Sequence, residues 1–109
     1  MAYDEMLAAR LRAEIGQLPG MVEKKMFGGI GFILDGNMGV GILGPDLLVR
    51  TQLGEYEAAL QQPHVSLMND FGRTMKGWVK VAPAGVEEEA DLKRWIDTGL
   101  AAARALPKK

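Results

Sequence analysis

The segment MVEKKMFGGIGFILDGNMGVGILGPDLLVRT, residues 21–51, decides the fold because its apolar residues recur at every second position. Turn-forming residues at 35–37 and 44–46 interrupt this pattern, and each turn is short enough to reverse the chain within a few residues. The pattern therefore predicts antiparallel hairpins. The residues that share a side within three successive strands are Ile30, Phe32 and Leu34, then Met38, Val40 and Ile42, then Leu47 and Val49.

Three- to four-residue spacing of apolar side chains predicts helices on both sides of this segment. The first begins after Asp4 as N-cap, and the last has acidic residues at its start and basic residues at its end. The predicted fold class is α+β, a two-layer antiparallel sheet with helices packed on one face, in the order α-β-β-β-β-α-β-α. The predicted helices are 4–18, 54–62 and 87–106, and the predicted strands are 22–27, 30–35, 38–43, 46–51 and 77–81.

The composition is that of one globular domain spanning residues 1–109, with no cysteine and a formal net charge of -1. Disulfides and cysteine-ligated zinc sites are excluded, and we expect no binding of duplex DNA by the chain alone, because few phosphates could be neutralised. No apolar stretch approaches a membrane span, which predicts a cytoplasmic protein without membrane contact. The thin core of so short a chain favours a homodimer.

Glycines are concentrated between residues 28 and 44. In the strand pattern, Gly31, Gly39 and Gly41 lie opposite the apolar side chains, which leaves one side of the hairpin nearly bare. A partner chain or a flat ligand could approach it closely. Close docking of a helix or a strand bulge inside the fold would explain the same glycines, and we favour this internal explanation.

The segment KKMFGG, residues 24–29, places two cations before a glycine pair. Lys24, Lys25, Phe27, Gly28 and Gly29 could form a concavity that binds an anion. The spacing matches no nucleotide-binding motif, however, and the segment leads into a strand where those motifs begin a helix. An edge strand protected by lysines, with Phe27 in the core, is the favoured alternative.

The segment RTMKGW, residues 73–78, combines cations and an aromatic ring in the same way. Arg73, Lys76 and Trp78 could hold a single-stranded nucleic acid. A solvated strand face with Trp78 packed against a helix or a dimer partner is favoured on the residues alone. Because both segments combine cations, an aromatic ring and glycine, we predict that they meet in the fold and form one binding surface.

The residues give little support for catalysis. His64 is the single histidine, no set of carboxylates is spaced to complete a metal site with it, and Ser66 lacks the context of a nucleophile. We therefore predict a protein that is not an enzyme and has neither a metal site nor a cofactor.

The strings KKMFGG and MKGW, with DGNM at residues 35–38 and Trp95-Ile96 in the last helix, resemble the N-terminal domain of the TfoX/Sxy family. The resemblance covers nearly the whole chain. It implies a two-layer α+β domain that acts without known catalysis. In bacterial competence regulators this domain precedes a second, helical domain, which we expect this chain to lack because it ends at Lys109, and the whole regulator is thought to work beside the cAMP receptor protein at promoters.

The resulting prediction is a non-enzymatic regulatory or protein-interaction module, related to transcription or competence. The alternative is a module that binds a phosphorylated ligand or single-stranded nucleic acid through the KKMFGG and RTMKGW segments. The ligand-binding alternative, unlike the regulatory module, requires the lysines and Arg73 to lie close together in the fold.

Overall fold

A computed structural model describes residues 3–108 of the chain. It contains three α-helices, six strands and one 3-10 turn within these residues. In chain order they are α1 (Glu5–Ile15), β1 (Met21–Met26), β2 (Gly29–Leu34), β3 (Asn37–Leu43), β4 (Asp46–Arg50), α2 (Tyr56–Leu60), β5 (Val65–Leu67), β6 (Trp78–Val81), the 3-10 turn (Pro83–Gly85) and α3 (Glu89–Arg104).

The strands form one open antiparallel sheet in the order β1-β2-β3-β4-β6-β5. The predicted α+β class and the five predicted strands are confirmed, with ends that differ by at most one residue. The sheet also gains β5, which lies where we predicted neither a helix nor a strand. This strand pairs Val65 with Val81 and Leu67 with Val79, and three residues are too few to show an alternating pattern.

The helices cover one face of the sheet, and the main core lies between the two layers. Side chains from β2, β3, β4 and β6 pack there against α1, α2 and α3, and Phe32 and Trp95 are its largest fully buried members. We call this side the helix face. The Asp4 side chain caps α1 as predicted, accepting the amide hydrogens of Met6 and Leu7 at 2.9 and 3.1 Å.

The predicted helices were longer than the observed ones. Helix α1 ends at Ile15 rather than at residue 18, because Gly16 takes a left-handed conformation with φ 65° and its amide bonds back to the Arg12 carbonyl. Leu18 still packs against the core from the turn that follows. Helix α2 is five residues long, and α3 begins and ends two residues inside the predicted limits.

A β-bulge in β3 makes one prediction wrong, namely that Met38, Val40 and Ile42 lie on the same side of the strand. Phe32 pairs with Val40 and Ile33 pairs with Met38, so Gly39 is an extra residue in β3. Gly39 consequently lies against α3, where a Cβ atom would sit 2.7 Å from the Gly99 carbonyl oxygen. Met38 moves to the other face of the sheet, away from Val40, because the bulge shifts the alternation by one position. A period of two assumes an unbroken strand and could not show this shift.

Candidate functional site

The sheet face opposite the helices is covered by the chain segment 68–77, which follows β5. Met68 and Met75 pack there against Leu48 and Trp78 in a second, smaller core. The segment is closed at its base by two backbone hydrogen bonds, from the Met75 amide to the Met68 carbonyl at 2.8 Å and from the Trp78 amide to the Met75 carbonyl at 3.1 Å. We call this side of the sheet the loop face.

The glycines on the loop face have an internal explanation. A Cβ atom on Gly31 would lie 2.9 Å from the Met38 sulfur and 3.1 Å from the Met26 methyl group, and one on Gly41 would collide with the Met38 methyl group. Methionine side chains therefore occupy the space that the glycines leave. The predicted bare surface is not open, and the bulge at Gly39 accounts for the third glycine.

An apolar cavity of about 90 Å³ lies between segment 68–77 and strands β1 to β3. We call it the Met–Phe pocket, and its residues come from both predicted motifs. Its lining includes Met26, Phe27 and Gly29 from KKMFGG, Met75 and Trp78 from RTMKGW, and Met38, Met68 and Phe71.

Phe27 lies at the rim of this pocket, and the prediction that it belongs to the core is wrong. It forms the two-residue turn between β1 and β2 with Gly28, and both have positive φ, at 51° and 80°. Such a turn suits the twist of a hairpin, but an aromatic residue rarely adopts a positive φ. The ring is 76% exposed and packs against Phe71, with 5.3 Å between ring centroids.

None of the four predicted cations lines the Met–Phe pocket. Side chains alternate along β1, and Glu23 faces α1, where it binds Arg12 at 2.8 Å. Lys25 therefore lies on the helix face, whereas Lys24 lies on the loop face. Lys24, Lys25, Arg73 and Lys76 are all exposed, and Lys76 lines a different cleft. The two motifs thus meet through their apolar residues, while all four cations lie outside the lining of the shared pocket.

The cleft that Lys76 lines has a volume of about 520 Å³ and lies where β4 ends and β6 begins. We call it the Arg50 cleft, after a residue that the sequence analysis did not single out. The Arg50 guanidinium stacks over the Trp78 ring at 5.0 Å, and burial lowers the pKa of Arg50. Trp78 is only 8% exposed and contributes to both cavities. The alternating pattern places Asp46, Leu48 and Arg50 on one side of β4, but it does not show that β6 lies beside them.

The far end of the loop face carries a charged group of three residues. Lys80 and Asp70 form an ion pair at 3.0 Å. Burial raises the pKa of Asp46, the nearby Lys80 opposes that shift, and Asp70 adds to it. Asp46 is thus a partly buried carboxyl group without an ion-pair partner of its own in the part of the chain that the structure describes.

Within residues 3–108, no three His, Asp or Glu side chains come together as a metal-binding group. His64 is exposed and has a positive φ of 67°. None of the helices in these residues combines the length and the apolar character that crossing a membrane requires.

The family model of the TfoX N-terminal domain matches residues 13–103, which is most of the 109-residue chain. Comparison with curated proteins and with solved structures gives no significant match.

Proposed function

We propose that this chain, which belongs to the TfoX N-terminal domain family, is a non-enzymatic regulatory module that binds a partner protein through the Met–Phe pocket. The observation that carries the proposal is the exposed aromatic pair, Phe27 and Phe71, at the rim of a cavity lined by methionines. The proposal includes a cytoplasmic role in transcription or competence, which rests on the family alone.

Phe27 contributes little to the stability of the folded protein, which supports a role in binding. Its ring is mostly in water, and its positive φ costs of the order of 1 kcal/mol relative to a residue suited to the turn. Exposed aromatic side chains that insert into a partner often dominate the energy of an interface. Phe27 is therefore best explained as an anchor for another molecule.

The methionines around the pocket suit a protein partner. Met26, Met38 and Met75 are partly buried and lie beside the aromatic rings. Unbranched, polarisable side chains adapt to the shape of an inserted apolar group. A cavity of about 90 Å³ has room for part of one apolar side chain, such as the end of a leucine or methionine. The remaining contact would be made by Phe27 and Phe71.

Capture from a cytoplasmic extract, with and without nuclease, tests the proposal. We expect the wild-type protein to retain specific proteins after nuclease treatment, and Phe27→Ala and Phe71→Ala to lose them. Met6→Ala is the matched control, because Met6 is also 76% exposed but lies on α1. Equal capture by Phe27→Ala and the wild type would refute the pocket as a docking surface. Loss of capture on nuclease treatment would instead favour the nucleic-acid alternative.

A second copy of the chain is one protein partner to test. The thin core still favours a homodimer, but methionines fill the glycine surface that a partner chain could have approached. The exposed aromatic pair is the surface that a second copy would contact instead. Light scattering at micromolar concentration measures it directly. A dimer in the wild type that dissociates in Phe27→Ala would make the second copy the occupant of the pocket. A wild-type monomer would leave another protein as the partner.

A further inference from the structure

The two tryptophans are each stacked by an arginine, but the two arginines have different surroundings. Arg94 lies 4.9 Å from the Trp95 ring, donates a hydrogen bond to Gln62 at 2.7 Å and pairs with Asp91 at 3.4 Å. Arg50 lies 5.0 Å from the Trp78 ring, and its Nε is buried without a hydrogen-bond partner among residues 3–108. No ion pair of Arg50 forms in that range either.

Arg50 is half-buried, and its buried Nε lacks an acceptor in the part of the chain that the structure describes, which is unfavourable for a polar group. Buried polar groups in folded proteins are nearly always hydrogen-bonded, and an unpaired cation loses hydration when it is buried. The lowered pKa of Arg50 has this cause. The fork of N–H groups on arginine matches the oxygens of a carboxylate or a phosphate.

The rest of the cleft also suits an anion. Lys76 supplies a second positive charge, and the Gln52 side chain supplies an amide group. The Thr51 hydroxyl is already engaged, since it donates to the Gly77 carbonyl at 2.8 Å. Within residues 3–108, no aspartate or glutamate lines the cleft. The C-terminal end of α3 lies at one wall and carries about half a negative charge, which two full positive charges exceed.

The remaining wall is apolar and indicates the kind of molecule that carries the anion. Trp78, Ala102 and Leu106 face the space beside Arg50. A cleft of about 520 Å³ is in the range of small-molecule sites, and it is far larger than a phosphate group. Two cations are too few to hold a nucleic acid strand against salt.

We propose that the Arg50 cleft binds a small organic oxyanion, a carboxylate or phosphate attached to an apolar group, with Arg50 and Lys76 contacting the oxygens and Ala102 and Leu106 contacting the apolar part. This site is separate from the Met–Phe pocket, although the Trp78 ring borders both. It does not depend on the proposed protein partner.

Titration followed by NMR tests the site with known probes. The indole N–H signals of Trp78 and Trp95, assigned with Trp→Phe variants, report on the two arginine stacks separately. We expect inorganic phosphate, phenyl phosphate and benzoate to shift the Trp78 signal in a saturable way and to leave Trp95 unchanged. Phenyl phosphate should bind at least about threefold more tightly than inorganic phosphate, because only its ring reaches the apolar wall. Comparison of phenyl phosphate with benzoate distinguishes the two oxyanions.

Two arginine variants form a matched pair. Arg50→Met should weaken phenyl phosphate binding at least about tenfold, whereas Arg94→Met should bind like the wild type. Arg50→Met removes a half-buried cation that has no ion pair among residues 3–108, so we expect the variant to fold. Lys76→Met provides a second, surface variant that should also weaken binding. Equal Trp78 shifts in Arg50→Met and the wild type would overturn the proposal. The same shift from sodium chloride at matched ionic strength would also overturn it.

Discussion

Replacing Phe27 by aspartate should stabilise the protein and at the same time weaken capture of its partner. The chain itself supplies the model for this change. The turn between β2 and β3 uses Asp35-Gly36 with φ values of 52° and 88°, almost the same as the 51° and 80° of Phe27-Gly28. The substitution therefore places a residue suited to the turn where an aromatic residue now stands.

The magnitude follows from two opposing contributions. A left-handed conformation costs a bulky residue about 1–2 kcal/mol, and aspartate avoids most of this, so the gain is about 1 kcal/mol. Loss of the packing against Phe71 costs about 0.5 kcal/mol, the lower end for an aromatic pair, because the Phe27 ring is mostly exposed. The net gain is roughly 0.5 kcal/mol, which raises the Tm by roughly 2 °C in a chain of this length.

Thermal and urea unfolding of three proteins separates the contributions. Phe27→Ala loses the ring but still requires a positive φ, so it should be about 0.5 kcal/mol less stable than the wild type and about 1 kcal/mol less stable than Phe27→Asp. Both variants should lose partner capture. If Phe27→Asp is as unstable as Phe27→Ala, the turn imposes no conformational demand, and the argument that Phe27 is kept for binding fails.

Three further changes test the fold. Gly99→Ala should destabilise the protein by roughly 1–2 kcal/mol in urea unfolding, because its Cβ would lie 2.5 Å from both the Gly39 carbonyl oxygen and a Val40 methyl group. This loss should exceed the gain that alanine brings to a helix, so an unchanged unfolding midpoint would contradict the packing. Trp78→Ala should cost roughly 3 kcal/mol or more in the same assay, and a loss below 1 kcal/mol would contradict the burial of the ring. Asp46→Asn should raise stability at pH 7, because the raised pKa of Asp46 means that its ionised form is disfavoured in the folded state. That advantage should shrink as the pH falls and vanish below the ordinary aspartate pKa of about 3.9, where Asp46 is protonated in both states; a constant difference from pH 7 to pH 3 would contradict it.

The fold was largely predictable because its strands are long and regular. Ile30, Phe32 and Leu34 alternate without interruption, and all three lie on the helix face as expected. The prediction failed where the backbone departs from regular geometry. The bulge at Gly39 reverses the side of Met38, and nothing in an alternating pattern marks the residue at which a strand gains an extra position.

The candidate site was less predictable because it depends on which segments meet across the sheet. The sequence drew attention to KKMFGG and RTMKGW, and residues of both line the Met–Phe pocket. It could not assign Phe27 to a turn, because aromatic residues rarely have a positive φ. It also missed Arg50, whose importance depends on the Trp78 ring of the neighbouring strand.

The two faces of the sheet explain why both candidate sites include loop-face residues. On the helix face, α3 packs so closely against β3 that the backbones of Gly99 and Gly39 are in contact. This packing leaves little room for a ligand. The loop face is covered by one ten-residue segment held at its base by backbone hydrogen bonds, and by methionines that can change shape. A short cover without regular structure opens at lower free energy than a packed helix layer. Segment 68–77 leaves a cavity beside Phe27, and the Trp78 ring lines both this pocket and the Arg50 cleft. A ligand held by Arg50 would therefore contact a ring that also borders the proposed partner pocket.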